Sequence, residues 1–363
     1  MNIPAEMKAL RAYGPHDYRL DTIQVPSLKP YDILIKVEAC GICAGDMKAY
    51  HGGLRFWGTE DTPAYIQPPS TGGHEIVGRI VALGDQVKGF AIGDRVVPEQ
   101  ILPCGSCYFC QTGTYWMCQF SEVFGFRQNC QGGFANYCKL PAGSIVHKIS
   151  EKLTLEQAIM IEPIACGMHA AEIAEIHHSD VVVVAGLGPI GLPIVNIVSL
   201  KLAKKIIALD VNPERVKLAT SFGADVALNP LTDDVDAYIS ELTDSKGCDV
   251  YIEASGSSAS VKQGLNLLAN HGRYVQFGVL SELVTTDWNI IGDGKELTIK
   301  GSHLSGLTFA STIKGIETGL IKTHGLVSEI VALDNWKQAF ETLETRKDVM
   351  KIALSPKARV VEA

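Results

Sequence analysis

The stretch Val181-Val-Val-Val-Ala-Gly186-Leu-Gly188-Pro-Ile-Gly191 decides the fold of this chain. Its apolar run is typical of a strand buried on both faces of a parallel sheet. The GxGxxG pattern that follows, where a helix opens, is the fingerprint of a dinucleotide-binding unit. Its glycines allow a tight turn, a close approach to the pyrophosphate and close helix packing, and the helix N-terminus meets the phosphate. The cofactor is therefore expected against Gly186, Leu187, Gly188, Pro189, Ile190 and Gly191.

Strands and helices alternate through the sequence around this fingerprint. A helix is predicted from Ile190 to Leu202 and another from Pro213, with Asn212 as its cap. Further strands are predicted at Lys205 to Asp210, Asp225 to Leu228, Asp249 to Ile252 and Arg273 to Phe277. This alternation predicts a doubly wound parallel sheet, an α/β fold.

Asp210 is predicted to select the cofactor, because it ends the strand that follows the fingerprint helix. A carboxylate at this place accepts hydrogen bonds from the ribose hydroxyls and repels a 2′-phosphate. NAD is therefore favoured over NADP. Arg215 weakens this preference slightly, and its place on the following helix predicts a surface or adenine-side role.

The first part of the chain is predicted to be rich in β-structure. Asp32 to Glu38 alternates as a strand does, and Ile76 to Ala82 is a second strand candidate. Glycines at 84, 89 and 93 fit the tight turns of a barrel-like domain. After about residue 300 a strand signal (297–302) and two helical patterns (308–319 and 335–343) remain. These are too short for a domain of their own and are expected to pack back on the first domain.

Four closely spaced cysteines predict a structural zinc site within a lobe of about residues 98–120. Cys104, Cys107, Cys110 and Cys118 have a spacing that lets four thiolates close on one tetrahedral Zn²⁺. Such a site leaves no coordination position for a substrate, so its role is structural.

Composition and charge exclude several classes of partner. The chain has 363 residues and a net charge of −8, which argues against nucleic acid and anionic membranes as partners. No apolar run approaches the roughly 20 residues of a spanning helix, and the N-terminus does not resemble a signal peptide. With this N-terminus, the tight spacing of four of the ten cysteines indicates metal binding in a reducing compartment, and a cytoplasmic location is expected.

A string around His74 resembles the zinc signature of the medium-chain alcohol dehydrogenases. The string is Gly73-His-Glu followed by Gly78, Gly84 and Val87 at fixed spacing. The resemblance extends to Gly41-Ile-Cys43, Gly93-Asp-Arg-Val96, the four-cysteine lobe, Glu162-Pro163 and the fingerprint. It implies a GroES-like β-barrel-type catalytic domain (1–164 and 301–363), an NAD-binding Rossmann domain (165–300), and a homotetramer or homodimer.

The same resemblance implies a catalytic zinc held by Cys43, His74 and a glutamate, for which both Glu75 and Glu162 are candidates. Zinc would polarise a substrate hydroxyl, and the carbon would lose hydride to NAD. With the structural site, two zinc ions per chain are expected. The remaining cysteines are interpreted as core residues, namely Cys40, Cys130, Cys138, Cys166 and Cys248.

Within the family, Glu75 and Glu162-Pro163 resemble the polyol (sorbitol-type) and threonine dehydrogenases. The strings His16-Asp-Tyr-Arg19, Tyr50-His-Gly52 and Phe56-Trp-Gly58 are similar to bacterial erythritol/threitol dehydrogenases, which act on four-carbon sugar alcohols. A small polyol oxidised at a secondary hydroxyl to a ketose is therefore the expected substrate. A threonine-type or other secondary alcohol dehydrogenase is the alternative. A non-catalytic scaffold is a third hypothesis, which the complete zinc-ligand set opposes.

The sequence departs from the family at Gly45, where relatives usually have a hydroxyl residue that passes on the alcohol proton. Lys48 and Tyr50 are the candidate relay residues in its place, with His51 close by, and water is the other route. Asp46 is expected to fix the loop backbone. Aromatic residues of the following loop (50–71) are expected either to line the substrate site or to pack the loop itself or a subunit contact.

Overall fold

The computed structural model describes residues 3–280 and 282–357, which divide into two units. The first unit runs up to Glu162 and resumes at Thr323, and the second unit is Pro163–Lys322.

Strands and helices of the described residues follow one another in three stretches. Up to Ile173 they are β1 (Glu6–Gly14), β2 (Asp17–Gln24), β3 (Ile33–Gly41), α1 (Ala44–Tyr50), α2 (Leu54–Trp57), β4 (Ser70–Thr71), β5 (Glu75–Leu83), β6 (Arg95–Pro98), β7 (Ile101–Leu102), α3 (Tyr108–Gln111), β8 (Glu122–Val123), β9 (Tyr137–Leu140), β10 (Val146–Lys148), α4 (Leu155–Ile159) and α5 (Ile161–Ile173). The second stretch contains β11 (Val181–Ala185), α6 (Gly191–Leu200), β12 (Lys205–Leu209), α7 (Pro213–Ala219), β13 (Val226–Leu228), α8 (Val235–Leu242), β14 (Cys248–Glu253), α9 (Ser258–Leu267), β15 (Leu268–Gln276), β16 (Thr298–Gly301) and α10 (Phe309–Glu317). The last stretch contains β17 (Glu329–Ala332), α11 (Trp336–Thr345) and β18 (Ile352–Ser355).

The second unit is built on a parallel sheet of six strands in the order β13-β12-β11-β14-β15-β16. All five residues of β11 are buried, as the apolar run predicted. The helix α7 begins at Pro213, and the Asn212 side chain accepts a hydrogen bond from the Glu214 amide. The direction of strand addition reverses between β11 and β14. In doubly wound sheets this reversal creates the crevice that receives a dinucleotide, so the predicted fold is confirmed.

The boundary between the units differs from the predicted one at residue 300. Strand β16 extends the parallel sheet beside β15, and the Thr308 hydroxyl donates a 2.6 Å hydrogen bond to the Ala165 carbonyl. These bonds place β16 and α10 in the second unit. The expectation that both tail helices pack on the first domain is therefore wrong for α10, whereas α11 lies in the first unit.

The first unit contains a seven-stranded sheet in the order β10-β6-β5-β3-β18-β17, with β9 also paired to β3. A three-stranded sheet, β2-β1-β4, and the short ribbon β7-β8 accompany it. The register aligns three neighbouring strands at one point, because Gly41 of β3 pairs with Glu75 of β5 and with Ala353 of β18. This alignment positions the site described next. Within the described residues, no helix has both the length and the apolar character to cross a membrane.

Candidate active site

The side chains of Cys43, His74 and Glu75 converge in the first unit, with their ligand atoms all within 4.8 Å of one another. Cys43 follows β3 and caps α1, His74 immediately precedes β5, and Glu75 is the first residue of β5. Because β3 and β5 pair with Gly41 opposite Glu75, the end of one strand meets the start of the other. The antiparallel register therefore assembles a cysteine, a histidine and a glutamate from two separate sequence segments.

Cys43 is held by the capping of α1. Its backbone amide donates to Asp46 Oδ2 at 2.9 Å, and its Sγ accepts from the Gly45 amide at 3.4 Å. Both halves of a capping box are present. The Asp46 carboxylate thus fixes the loop backbone, which is the role predicted for it.

His74 is buried beside two acidic groups. Its Nδ1 lies 3.8 Å from Asp46 Oδ1 and has no hydrogen-bond partner among the described residues. Burial by itself lowers the pKa of His74, but the charges of Asp46, Cys43 and Glu162 outweigh it and raise that pKa well above its ordinary value. The site therefore favours positive charge at the imidazole, and a metal cation supplies such charge without a proton.

Lys351 is a residue of this site that sequence reasoning missed. Its Nζ donates to both carboxylate oxygens of Glu75, each at 2.6 Å, and to the Ile42 carbonyl at 3.1 Å. It immediately precedes β18, which pairs with β3. A signal existed in the sequence, since Lys351 interrupts an apolar run and a buried lysine needs an anionic partner.

The Glu75 carboxylate also explains a glycine. A Cβ built on Gly41 would lie 1.9 Å from Glu75 Oε2, so a side chain there would push the carboxylate away from Lys351.

Glu162, the second glutamate candidate, lies in the first turn of α5 and is buried. Its charge contributes to the raised pKa values of His74 and Lys351. Its carboxylate is not in the group of ligand atoms within 4.8 Å that the described residues form. The structure thus brings Cys43, His74 and Glu75 together. The charge of Glu162 acts on this group from nearby, since it raises the pKa of both His74 and Lys351.

The two predicted relay residues have different surroundings. Lys48 is half-buried on α1; burial lowers its pKa, and the charge of Cys43 opposes that shift. The Tyr50 ring instead packs into an aromatic cluster, with ring centroids 5.3 Å from Tyr18, 5.3 Å from Phe340 and 6.3 Å from Trp336. Of the two residues, Lys48 is therefore the one whose pKa the charge of Cys43 affects.

The four cysteines of the predicted lobe also form a group with all four Sγ atoms within 4.8 Å. The Sγ atoms of Cys107 and Cys110 are 3.6 Å apart, and those of Cys104 and Cys110 are 4.0 Å apart. Tetrahedral zinc with Zn–S bonds of about 2.3 Å needs Sγ atoms about 3.8 Å apart, between these two values. Backbone N–H groups of Ser106 and Cys107 lower the pKa of Cys104 to about 6 and so favour the thiolate that zinc binds. The donor set and its spacing fit zinc.

The fingerprint of the second unit has the geometry that its glycines predict. Gly186 has φ of +93°, and a Cβ on Gly191 would lie 1.7 Å from the Gly186 carbonyl oxygen. Asp210 is buried at the end of β12, where its Oδ2 accepts a 2.6 Å hydrogen bond from the Leu187 amide. This hydrogen bond therefore fixes the Asp210 carboxylate against the glycine-rich turn.

Arg215, for which a surface or adenine-side role is predicted, lies close to the fingerprint. Its Nη1 is 3.8 Å from Asp210 Oδ2 and would be 3.9 Å from a Cβ on Gly188. Its Nε is buried without a hydrogen-bond partner among the described residues. A cation thus stands beside the carboxylate that faces the ribose in such folds.

Comparisons with known proteins agree with this architecture. Residues 29–151 match the model of the alcohol dehydrogenase GroES-like domain, and residues 189–318 match that of the zinc-binding dehydrogenases. The chain is 43% identical over 357 residues to an erythritol/L-threitol dehydrogenase of Mycolicibacterium smegmatis, covering 98% of this chain and 99% of that one. It is 31% identical to an L-threonine 3-dehydrogenase of Pyrococcus horikoshii, covering 94% and 96%. The crystal structure of a protein described as a zinc-binding dehydrogenase of Sinorhizobium meliloti 1021, bound to NADP, superposes with a TM-score of 0.88 at 29% identity, covering 97% and 100%.

Proposed function

Because the chain belongs to the zinc-dependent alcohol dehydrogenase family with a GroES-like domain, and is an oxidoreductase, we propose that it oxidises a secondary hydroxyl of a small polyol to a ketose. The polyol is of the erythritol or threitol type, NAD is the acceptor, and the reaction is reversible. The observation that carries the proposal is the cluster of half-buried Cys43 with buried His74 and Glu75, to which 43% identity with an erythritol/L-threitol dehydrogenase adds the substrate class.

The donor set of the cluster fits a catalytic zinc. Cys43 and His74 would hold the metal, with Glu75 or Glu162 as the third protein ligand, and a fourth position would stay open. The orphaned Nδ1 of His74 supports this assignment, since a buried polar atom normally has a partner. When bound, zinc supplies a Lewis acid that polarises a hydroxyl oxygen. With the four-cysteine site, the chain would carry two zinc ions.

The chain's own residues supply orientation and a proton path. Asp46 fixes the Cys43 backbone, and Lys351 holds the Glu75 carboxylate through two 2.6 Å hydrogen bonds. Lys48 would accept the proton of the alcohol, because burial lowers its pKa and Gly45 offers no hydroxyl. Tyr50 remains a weaker candidate, since its ring lies in the aromatic cluster.

NAD rather than NADP is proposed as the cofactor, on the strength of Asp210. The Leu187 and Asn212 amides hold its carboxylate at the end of β12. There it would accept hydrogen bonds from the adenine ribose, and its charge would oppose a 2′-phosphate. Arg215 reduces that opposition, so use of NADP at lower efficiency is part of the proposal.

We also propose that the chain acts as a homodimer or homotetramer in the cytoplasm. The outer strand β16 ends the six-stranded sheet with Ile299 exposed, and Trp288 nearby in sequence is 72% exposed. An exposed sheet edge with apolar side chains favours pairing with another chain. None of the ten cysteines, all of which lie in the described residues, is in a disulfide, as is usual in a reducing compartment.

The test is a substrate panel followed by NADH absorbance, with erythritol, L-threitol, 2-butanol and L-threonine, each with NAD and NADP. The tetritols are expected to exceed 2-butanol by orders of magnitude in kcat/KM, because a site that hydrogen-bonds several hydroxyls penalises substrates that lack them. Cys43→Ser, which removes a metal ligand, is expected to abolish turnover. L-Threonine as the best substrate would replace the polyol assignment with the threonine-type alternative.

A further inference from the structure

The loop that follows α1 is fixed to that helix. The Trp57 indole Nε1 donates a 2.7 Å hydrogen bond to the Ala49 carbonyl, which ties α2 to α1. The Phe56 carbonyl accepts from the amides of Tyr65 and Ile66 at 2.9 and 3.0 Å. These bonds fix the backbone from which the Phe56 side chain projects.

The tip of the Phe56 ring lies beside the metal-binding cysteine. A Cβ built on Gly45 would lie 3.8 Å from Phe56 Cζ and 3.7 Å from Cys43 Sγ. One side-chain atom at position 45 would therefore touch both the ring and the sulfur. Both are ordinary van der Waals distances, so the ring tip and the sulfur border the same space beside Gly45.

The Phe126 ring lies between the Phe56 ring and the His74 imidazole. The Phe126 ring centroid is 5.2 Å from that of Phe56 and 5.6 Å from that of His74. Phe126 is buried and Phe56 is half-buried. The two phenylalanines thus form an apolar surface along the metal-binding side chains, and part of Phe56 stays open to solvent.

We propose that Phe56 is a specificity-determining residue that limits the length of the polyol, an inference that rests on the proposed function. Its ring carries no hydrogen-bonding group, so it packs against the carbon chain of a four-carbon substrate. A five- or six-carbon polyol would press further hydroxyls against the ring, where they lose water and gain no partner. Each hydroxyl left unpaired in this way costs about 1–3 kcal/mol, or roughly a fivefold to 150-fold loss in kcat/KM.

The test compares wild type with Phe56→Ala, Phe56→Leu and a matched control, Phe120→Ala, whose ring is 71% exposed in the four-cysteine lobe. The measured quantity is kcat/KM for sorbitol divided by kcat/KM for erythritol. Phe56→Ala is expected to raise this ratio about tenfold, by the cost of one unpaired hydroxyl. Phe56→Leu should raise it less, and Phe120→Ala should leave it unchanged. A ratio unchanged in both Phe56 variants, with folding intact by circular dichroism, overturns the proposal.

A second readout does not depend on turnover. The rate at which N-ethylmaleimide alkylates Cys43 in the purified protein is followed by peptide mass spectrometry. Removing the ring is expected to raise this rate severalfold in Phe56→Ala and not in Phe120→Ala. If wild type oxidises no polyol, the proposed function fails, and the alkylation rate alone decides whether Phe56 screens Cys43. An unchanged alkylation rate would then also overturn the inference that the Phe56 ring screens Cys43.

Discussion

Replacing Lys351 with methionine should destabilise the protein more than any exposed charge substitution. The Lys351 side chain is 4% exposed and that of its partner Glu75 is 1% exposed, so methionine would leave the buried carboxylate without its cationic side-chain partner. Breaking a buried pair from one side costs about 3–5 kcal/mol. For a unit of this size, that corresponds to a fall of about 6–20 °C in melting temperature.

The matched control is Lys148→Met. Lys148 makes an ion pair with Asp94 at 2.7 Å, close to the 2.6 Å of the buried pair, but its side chain is 50% exposed. Exposed pairs contribute little because solvent screens them, so this variant should melt close to wild type. Thermal unfolding of both variants, with zinc content measured alongside, distinguishes the effect of breaking a buried ion pair from the effect of removing any lysine.

A double variant identifies the cause. Glu75→Gln in the Lys351→Met background removes the orphaned charge and should recover part of the lost stability. Two results would refute the reasoning: Lys351→Met melting as Lys148→Met does, or Glu75→Gln adding to the damage instead of relieving it.

Three further outcomes are expected. Cys107→Ser should lose one of two zinc ions by metal analysis and lower the melting temperature, since metal binding is coupled to folding, and an unchanged metal count would contradict the four-cysteine site. Asp210→Ala should lower the preference for NAD, measured as kcat/KM with NAD divided by kcat/KM with NADP. An unchanged ratio would show that Asp210 does not select the cofactor. Because burial lowers the pKa of Lys48, its neutral amine forms at lower pH than that of a free lysine, and kcat/KM should rise with pH as it forms. Lys48→Met should abolish this rise, and a superimposable pH profile would exclude Lys48 from proton transfer.

The sequence predicted the second unit well because its signals are local. The run from Val181 to Ala185 and the Asn212 cap each specify structure within a few residues, and both are present as predicted. The placement of residues 301–322 depended instead on contacts with distant partners. The hydrogen bond from Thr308 to Ala165 spans 143 positions, and periodicity alone does not reveal it.

In the candidate site, residue types were predictable and their partners were not. The motif spacing indicated Cys43 and His74, but the pairing of Lys351 with Glu75 joins residues 276 positions apart through strand order. Likewise, the sequence showed that Gly45 lacks a hydroxyl, whereas only the structure shows that the Phe56 ring borders the space beside it.

The most direct test of the proposed function is the fate of deuterium placed on the substrate carbon. Erythritol labelled at its two secondary carbons is incubated with the enzyme and NAD, and the reduced cofactor is analysed by mass spectrometry. If the chain removes hydride from a secondary carbinol, each NADH formed carries one deuterium, and erythritol labelled only at its terminal carbons gives unlabelled NADH. Deuterium arriving from the terminal carbons, or no reduced cofactor from either substrate, would contradict the proposed reaction.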